Sequence, residues 1–137
     1  MDGYIILGDS VNYGPWSNEC VQLIETLPGC TKILGNHERY FISGACDCEN
    51  SLANEFFNHC YPQFKEVDLI QAYEKESQFQ DFTCIHTLKG KYIFKDTDVT
   101  LGKNQIIGHS HCQYEISRNG FTLINPGSVG QNRRFIN

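Results

Sequence analysis

The chain has 137 residues, of which 40% are hydrophobic and 20% charged, with a formal net charge of −5 and an isoelectric point near 5.4. This length and composition suit one folded domain and exclude a disordered or fibrous chain. Eleven basic against sixteen acidic residues argue against nucleic acid as a partner, because affinity for nucleic acid depends on basic side chains that neutralise phosphates.

The first half of the chain alternates short apolar runs with helical patterns. We predict strands at residues 4–7 and 31–34, and helices from about 17 to 27, at 52–60 and, more weakly, at 67–73. Ser17 or Asn18 is expected to cap the first helix. The expected apolar stripe of the second helix consists of Leu52, Phe56, Phe57 and Cys60.

The second half of the chain is richer in strand patterns. We predict strands at residues 74–79, 82–86, 92–94, 105–107, 114–117 and 121–124. Asn119 and Gly120 form a strong signal for a hairpin turn between the last two strands. Helices early and antiparallel strands late predict an α/β sandwich in a single domain over residues 1–137.

Residues that can bind metal follow several of these short apolar runs or the glycines that end them. The set comprises Asp9, Asn36, His37, His86, His109 and His111. Because open α/β folds place their sites at the carboxyl ends of strands, we expect these side chains to converge. Carboxylate, amide and imidazole ligands together suit Mn, Fe, Zn or Ni. Each motif alone is a weak signal, whereas their order along the chain indicates a site for divalent metal ions.

The cysteines and the hydropathy bear on the compartment of the protein. Seven cysteines show no spacing typical of a disulfide framework. Cys46 and Cys48 are compatible with a soft-metal site, although we favour reduced thiols in a loop. No apolar run is long enough to cross a bilayer, and no signal peptide opens the chain. We therefore expect a soluble cytoplasmic protein without a membrane partner.

Five segments of the chain resemble, in order, the motifs of one known family. They are Gly8-Asp9 with Asn12-Tyr13-Gly14, Gly35-Asn36-His37-Glu38, His86, Gly108-His109-Ser110-His111, and Asn125-Pro126-Gly127-Ser128. With these motifs the chain resembles calcineurin-like metallophosphoesterases, and the closing motif resembles their small bacterial and archaeal phosphodiesterase branch. The resemblance extends from Tyr4 to about Arg133.

This resemblance implies a fold, an activity and cofactors. The implied fold is an α/β sandwich of two mixed β-sheets flanked by helices. The implied activity is hydrolysis of a phosphodiester or phosphomonoester bond in a small phosphorylated substrate by a metal-bound hydroxide. The implied cofactors are two divalent metal ions, with Mn foremost and Fe, Zn or Ni as alternatives.

The resemblance also implies a role for each candidate residue. Asp9 would bridge both metal ions. Asn36, His86 and His109 would complete the shell of one ion, and His111 would bind the other. His37 would be the catalytic residue, contacting neither ion and facing the phosphate as a cation.

The sequence departs from the family's pattern at one point. Family members begin with a strand that ends in Asp-x-His, and no Asp-x-His precedes Asp9 here. We therefore expect an N-terminally incomplete domain that lacks the first strand-helix unit, an incomplete second metal site and impaired activity. A misassigned start and a real truncation are both open explanations, and the sequence leaves a homo-oligomer open as well.

Two other functions are compatible with these motifs. The first is a non-catalytic binding or scaffold module, because the family contains a retromer subunit that works chiefly through protein contacts. The retained set of candidate ligands favours an enzyme over this alternative. The second is a nucleic-acid exonuclease of the same superfamily, which the acidic balance of the chain disfavours.

Overall fold

The computed structural model describes residues 3–133, and the chain divides between Glu74 and Lys75 into two compact units. Each unit has its own β-sheet and its own cluster of buried apolar side chains. The predicted α/β composition is confirmed, while the single domain predicted over residues 1–137 stays a prediction. Within residues 3–133, no helix has both the length and the apolar character that crossing a membrane requires.

The first unit builds a parallel strand pair and several helices. Its elements are β1 (Tyr4–Ile6), α1 (Ser17–Glu25), β2 (Cys30–Lys32), α2 (Asn36–Ser43), α3 (Ser51–Cys60), a 3-10 helix (Tyr61–Gln63) and α4 (Val67–Gln71). β1 and β2 pair in parallel, with Tyr4 opposite Cys30. An isolated parallel bridge joins Ile33 to Glu74. The carboxyl ends of β1 and β2 therefore lie at the same edge of this sheet.

Helix α1 begins without a side-chain cap. Its N-cap residue is Trp16, so the prediction that Ser17 or Asn18 caps it is wrong. Both side chains bond to other parts of the backbone instead. Ser17 Oγ accepts a hydrogen bond from Asn12 N at 3.1 Å, and Asn18 Oδ1 accepts one from Lys65 N at 2.8 Å. The start of α1 therefore helps to hold the loop that follows β1.

Helix α2 begins where the sequence analysis predicts no helix. Gly35 is its N-cap, and the Glu38 side chain accepts a hydrogen bond from Gly35 N at 2.9 Å. This bond is the half of a capping box in which the N3 glutamate accepts from the N-cap amide, and glycine has no side chain to form the other half. Gly44 follows the helix in the left-handed conformation, with φ of 74°, which ends many helices.

Helix α3 is confirmed, but its buried face differs from the prediction. Asn50 caps the helix by accepting a hydrogen bond from Ala53 N at 3.2 Å. Ala53, Phe57 and Cys60 are buried, whereas Leu52 is 51% exposed. The predicted stripe is therefore wrong at its start, because the small Ala53 takes the inward position that was assigned to Leu52.

Phe41 of α2 lies at the centre of the apolar cluster of the first unit. Its ring makes edge contacts with the rings of Phe57, Tyr61 and Phe64, at centroid distances of 5.3, 5.7 and 4.9 Å. Aromatic pairs prefer this edge-to-face geometry. These contacts hold α2 against α3 and so fix the start of α2, where two candidate site residues lie.

The loop between α2 and α3 contains a disulfide. Cys46 and Cys48 are bonded to each other, with their Cα atoms 5.4 Å apart. The prediction that both are reduced thiols is wrong, because the intervening residue lets the loop curl and bring the two sulfurs together. The other cysteines that the structure describes are free.

The second unit is a mixed five-stranded sheet within the described residues. Its strands are β3 (Glu76–Phe79), β4 (Phe82–Ile85), β5 (Asn104–Ile107), β6 (Gln113–Arg118) and β7 (Phe121–Pro126), in the order β3-β4-β5-β7-β6. The β4–β5 and β5–β7 pairs are parallel, and the outer pairs are antiparallel. The predicted hairpin turn is confirmed, because Asn119 and Gly120 connect β6 to β7 with φ of 55° and 79°.

The strand predicted at residues 92–94 is wrong. In this region the structure has only an isolated antiparallel bridge between Leu88 and Lys91. The carbonyl oxygen of Ile93 accepts a hydrogen bond from the Tyr114 hydroxyl at 2.6 Å. A side chain therefore satisfies a backbone group that a neighbouring strand would otherwise pair with.

Candidate functional site

The loop after β1 places Asp9 in a strained backbone conformation. Asp9, Asn12 and Tyr13 all have positive φ, at 57°, 71° and 55°. Each such residue costs on the order of 1–3 kcal/mol and persists only where its surroundings impose it. Residues of this kind concentrate at functional sites, so the backbone independently supports the importance of Asp9.

A buried carboxylate holds this loop in place. Glu38 is fully buried and accepts four hydrogen bonds. Its Oε1 accepts from Ser10 N at 2.6 Å and from Ser10 Oγ at 2.7 Å, and its Oε2 accepts from Asp9 N and Gly35 N, both at 2.9 Å. One side chain at the start of α2 thus binds the Asp9 loop and the N-cap of α2 together.

The charge state of Glu38 depends on two opposing effects. Burial, followed by the nearby Asp9 carboxylate, raises the pKa of Glu38 above its ordinary value. The hydrogen bonds from Ser10 and from the Asp9 backbone lower the pKa. Since three of the four donors are backbone amides, which cannot accept a proton in a hydrogen bond, the observed arrangement matches an ionised carboxylate.

Gly35 is required by close approach of backbone and side chains. A Cβ atom at this position would lie 2.5 Å from Asp9 Oδ1 and 2.6 Å from Asp9 N. The φ of Gly35 is −86°, so its backbone conformation is open to any residue. The glycine is therefore needed for space, because it lets α2 start directly against the Asp9 loop.

His37 is buried in the first turn of α2 and bonded to the same loop. Its backbone N–H donates to Asp9 Oδ1 at 3.3 Å, and its Nδ1 lies 3.0 Å from Asn12 Nδ2. Asn12 Nδ2 also donates to the carbonyl oxygen of Ala53 at 3.1 Å, which only accepts. The amide nitrogen therefore faces both groups, and His37 Nδ1 accepts. This geometry favours a neutral His37 with its proton on Nε2, whereas the sequence analysis expects a cation.

The ring of His37 is enclosed by aromatic edges. Tyr13 and Tyr40 approach it at centroid distances of 4.7 and 5.7 Å, with interplanar angles of 69° and 87°. Asn36, the neighbouring candidate, is the first residue of α2 and is half-buried. The first unit thus brings together Asp9 and His37, whose backbone N–H donates to the Asp9 carboxylate.

In the second unit, two candidate histidines contact each other. His86 follows β4 and His109 follows β5, which are parallel neighbours in the sheet. His86 Nε2 lies 3.2 Å from His109 Nδ1. Two nitrogens that each lie about 2.0–2.1 Å from one ion at tetrahedral or octahedral angles are roughly 2.9–3.4 Å apart. The spacing of these two imidazoles therefore fits joint ligation of one metal ion.

The loop that carries His109 and His111 is also strained and also anchored. Both histidines have positive φ, at 61° and 58°. Asn125 of β7 is fully buried and donates from Nδ2 to Gly108 O at 2.6 Å and to Ser110 Oγ at 3.0 Å. Its Oδ1 accepts from Gly127 N at 2.9 Å. A single buried side chain thus supports the strained loop at residues 108–111.

The orientation of His111 is set by Gln131. His111 is buried, and its Nδ1 lies 3.0 Å from Gln131 Oε1. Because this oxygen only accepts, Nδ1 carries the proton and the lone pair of the ring is on Nε2. Metal-binding histidines are commonly oriented by such an acceptor on the other ring nitrogen. His111 is thereby prepared to bind a metal ion through Nε2.

Sequence analysis predicted the positions of the candidate ligands but missed the residues that orient them. Glu38, Asn125 and Gln131 received no such role, although Glu38 and Asn125 lie inside the quoted motifs. The available signal for Glu38 was its place three residues after Gly35, where a helix-capping glutamate is common. Within each unit the structure brings the candidates together as described, and their assignment as metal ligands stays a prediction.

The chain is similar to known proteins in family, in sequence and in structure. A family model described as the calcineurin-like phosphoesterase superfamily domain matches residues 1–135. The chain is 32% identical to an uncharacterized protein of Methanocaldococcus jannaschii, with coverage of 96% of this chain and 66% of that protein. It is also similar to the crystal structure of a metallophosphoesterase from Sphaerobacter thermophilus, at 23% identity and a TM-score of 0.62. That match covers 91% of this chain and 65% of the other, so this chain spans slightly under two thirds of either protein.

Proposed function

The chain belongs to the calcineurin-like phosphoesterase superfamily, and from this membership we propose that it hydrolyses phosphodiester or phosphomonoester bonds with the help of divalent metal ions. The match of the family model over residues 1–135 is the observation that carries the proposal. The substrate would be a small phosphorylated molecule. The cytoplasmic location and the lack of a nucleic-acid partner stay predictions from the sequence.

The donor chemistry of each unit supports the metal dependence. The first unit supplies a carboxylate from Asp9, and the second supplies paired imidazoles 3.2 Å apart from His86 and His109. We propose the ligand sets that the family resemblance implies, with Asn36 completing the first ion's shell and His111 binding the second ion. Bound ions would supply positive charge for the phosphoryl oxygens and lower the pKa of water.

His37 is proposed as the residue that acts on the substrate directly. The Asn12 contact supports a proton on Nε2, so the ring would donate a hydrogen bond from this atom to a phosphoryl or leaving oxygen. Asn12 would keep the ring in this orientation. The backbone contact between His37 N and Asp9 Oδ1 would hold the donor in a constant relation to the metal ligand.

The second ion is proposed to bind less tightly than the first. The candidate residues give it only Asp9 and His111, whereas the first ion would have Asp9 and three further ligands. We therefore propose weak turnover for these 137 residues. Manganese is the ion we propose, because mixed carboxylate, amide and imidazole ligands suit divalent ions of its class.

The test is manganese-dependent hydrolysis of bis(p-nitrophenyl) phosphate, combined with measurement of bound metal. Asp9→Ala should lose both metal and turnover, whereas His37→Ala should keep metal and lose most turnover, on the order of 10²-fold or more. His59→Ala is the matched control, because His59 is an exposed residue of α3 in the same unit. Unchanged hydrolysis in Asp9→Ala, or hydrolysis that does not depend on added metal, would contradict the proposal.

A further inference from the structure

An exposed aromatic ring lies against one of the candidate metal ligands. Tyr92 stacks on His109 with a centroid distance of 4.1 Å and an interplanar angle of 18°. Tyr92 is nevertheless 47% exposed. The ring of Phe94 runs nearly parallel to that of Tyr92, at 6.4 Å and 13°. Nearly half of the Tyr92 side chain is therefore open to solvent next to an imidazole that the proposed function assigns to metal.

The backbone before Tyr92 fixes the position of this ring. Lys89 and Gly90 have positive φ, at 54° and 71°, in a tight turn closed by a hydrogen bond from Lys91 N to Leu88 O at 3.1 Å. The Thr87 hydroxyl adds a bond to Lys91 O at 2.7 Å. Two left-handed residues in succession define a hairpin-type turn. The hydrogen bonds of this turn therefore fix the backbone position from which the Tyr92 side chain extends.

The segment that carries Tyr92 is basic in an acidic chain. Between Asp81 and Asp96 there is no acidic residue, and the segment contains Lys89, Lys91 and Lys95, whereas the whole chain has a net charge of −5. All three lysines are exposed. Local positive charge attracts anions even on a protein of opposite net charge. The segment therefore combines an aromatic surface with a field that favours a phosphorylated ligand.

We propose that Tyr92 forms a substrate subsite for a planar aromatic group attached to the phosphate, so that the chain prefers aryl phosphate esters to alkyl ones. This inference rests on the proposed function and specifies its substrate class. Stacking against a tyrosine ring favours a flat, apolar group and gives little advantage to a methyl group. Lys89 and Lys91 contribute attraction for the phosphate and do not distinguish the two kinds of ester.

A different role for Tyr92 makes a different prediction. If the ring only buttressed His109, its removal would weaken every phosphoryl ligand by the same factor. A subsite instead changes the ratio of affinities between an aromatic and an aliphatic ligand. The ratio is therefore the decisive measurement, and binding of stable phosphonates gives it without any need for turnover.

The experiment measures the affinity of phenylphosphonate and methylphosphonate for the chain in manganese buffer by isothermal titration calorimetry. Phenylphosphonate should bind roughly threefold to tenfold more tightly than methylphosphonate. Tyr92→Ala should bring this ratio to about one, and Tyr92→Phe should keep it. Phe79→Ala is the matched control, because Phe79 is a similarly exposed ring of β3, at 48%, and should leave the ratio unchanged.

The outcomes separate this inference from the proposed function. Equal affinity for the two phosphonates, no binding of phenylphosphonate, or a ratio that survives in Tyr92→Ala would each overturn the subsite. Equal weakening of both phosphonates in Tyr92→Ala would assign Tyr92 to the support of His109 and overturn it as well. Absence of metal-dependent hydrolysis would refute the proposed function, whereas hydrolysis with a ratio of one would refute the subsite alone.

Discussion

The two units both support a strained loop with a buried polar side chain, but the two side chains differ in charge. In each unit a strained loop carries candidate ligands, and one fully buried polar side chain supports that loop. In the first unit this is the carboxylate of Glu38, which accepts from Asp9, Ser10 and Gly35. In the second it is the amide of Asn125, which both donates and accepts.

The difference shows what each loop requires. The backbone around Asp9 presents only amide donors to Glu38, so two acceptor oxygens are needed and a charge is buried to supply them. The loop at residues 108–111 presents a carbonyl, and the following Gly127 presents an amide, so a neutral side chain with one donor and one acceptor suffices. Because burying a charge is costlier than burying an amide, the first unit should be more sensitive to change.

The largest effect is expected from Glu38→Gln. The new amide nitrogen must face at least one backbone N–H, from Ser10 on one side or from Asp9 and Gly35 on the other. Loss of these bonds from buried donors should lower the free energy of unfolding by about 3–4 kcal/mol, measured by urea denaturation. Glu25→Gln is the control, since its partly exposed pair with Lys32 should contribute less than about 1 kcal/mol. A smaller loss of stability for Glu38→Gln than for Glu25→Gln would show that the buried carboxylate of Glu38 does not support this loop.

A somewhat smaller effect is expected from Asn125→Asp. The substitution places an oxygen against the carbonyl oxygen of Gly108, whereas the Ser110 hydroxyl can turn and donate. Near pH 5, where a buried carboxyl can bind a proton at modest cost, this change should lower the free energy of unfolding by about 2–3 kcal/mol, measured by urea denaturation. The exposed Asn132→Asp introduces the same side chain nearby in the sequence and should change stability by less than about 0.5 kcal/mol. Equal stability of the two variants would show that Asn125 does not support the loop.

Gly35→Ala tests the close approach in the first unit without changing any charge. The added Cβ would meet Asp9 N at 2.6 Å, and backbone cannot move aside as a flexible side chain can. We expect a loss of about 1–3 kcal/mol, in the range of overpacked sites. Gly14→Ala lies in the same loop and would meet only Trp16 at 3.9 Å, an ordinary contact, so it should be nearly neutral. Similar unfolding curves for the two variants would contradict a spatial role for Gly35.

The fold was predictable where the signals are local. Short apolar runs that end in glycine predicted the strands β1 and β2, and Asn119-Gly120 predicted the last hairpin. Helix α2 was missed because its N-cap is a glycine and Glu38 supports its start partly through bonds to the loop at Asp9, 29 residues earlier in the chain. The strand wrongly predicted at residues 92–94 is a run of three apolar residues, but Tyr92 stacks on His109 and the backbone there pairs with no strand that the structure describes.

In the candidate site, too, the features that depend on nearby residues were predictable and those that depend on distant residues were not. The residue types and their order indicated the candidate ligands, because metal chemistry restricts which side chains can serve; their role as ligands stays a prediction. The orientation of the His37 ring depends on its contact with Asn12, 25 residues earlier, and Asn12 is in turn held by the carbonyl oxygen of Ala53, 41 residues later than Asn12. The residues that orient the site act through tertiary contacts, so the sequence reveals only the candidate metal ligands themselves.

The smallest effect is expected where the second unit depends on local geometry alone. Gly120→Ala retains every side-chain contact of the β6–β7 hairpin but places an alanine at φ of 79°. A left-handed conformation costs a residue with a Cβ roughly 1–2 kcal/mol, so the midpoint of urea unfolding should fall by a corresponding amount. Gly102→Ala is the control, because its Cβ would meet nothing within 4 Å and its φ lies outside the left-handed range. A cost for Gly120→Ala that matches or exceeds the cost of Asn125→Asp would mean that turn geometry, rather than the buried amide, limits the stability of this unit.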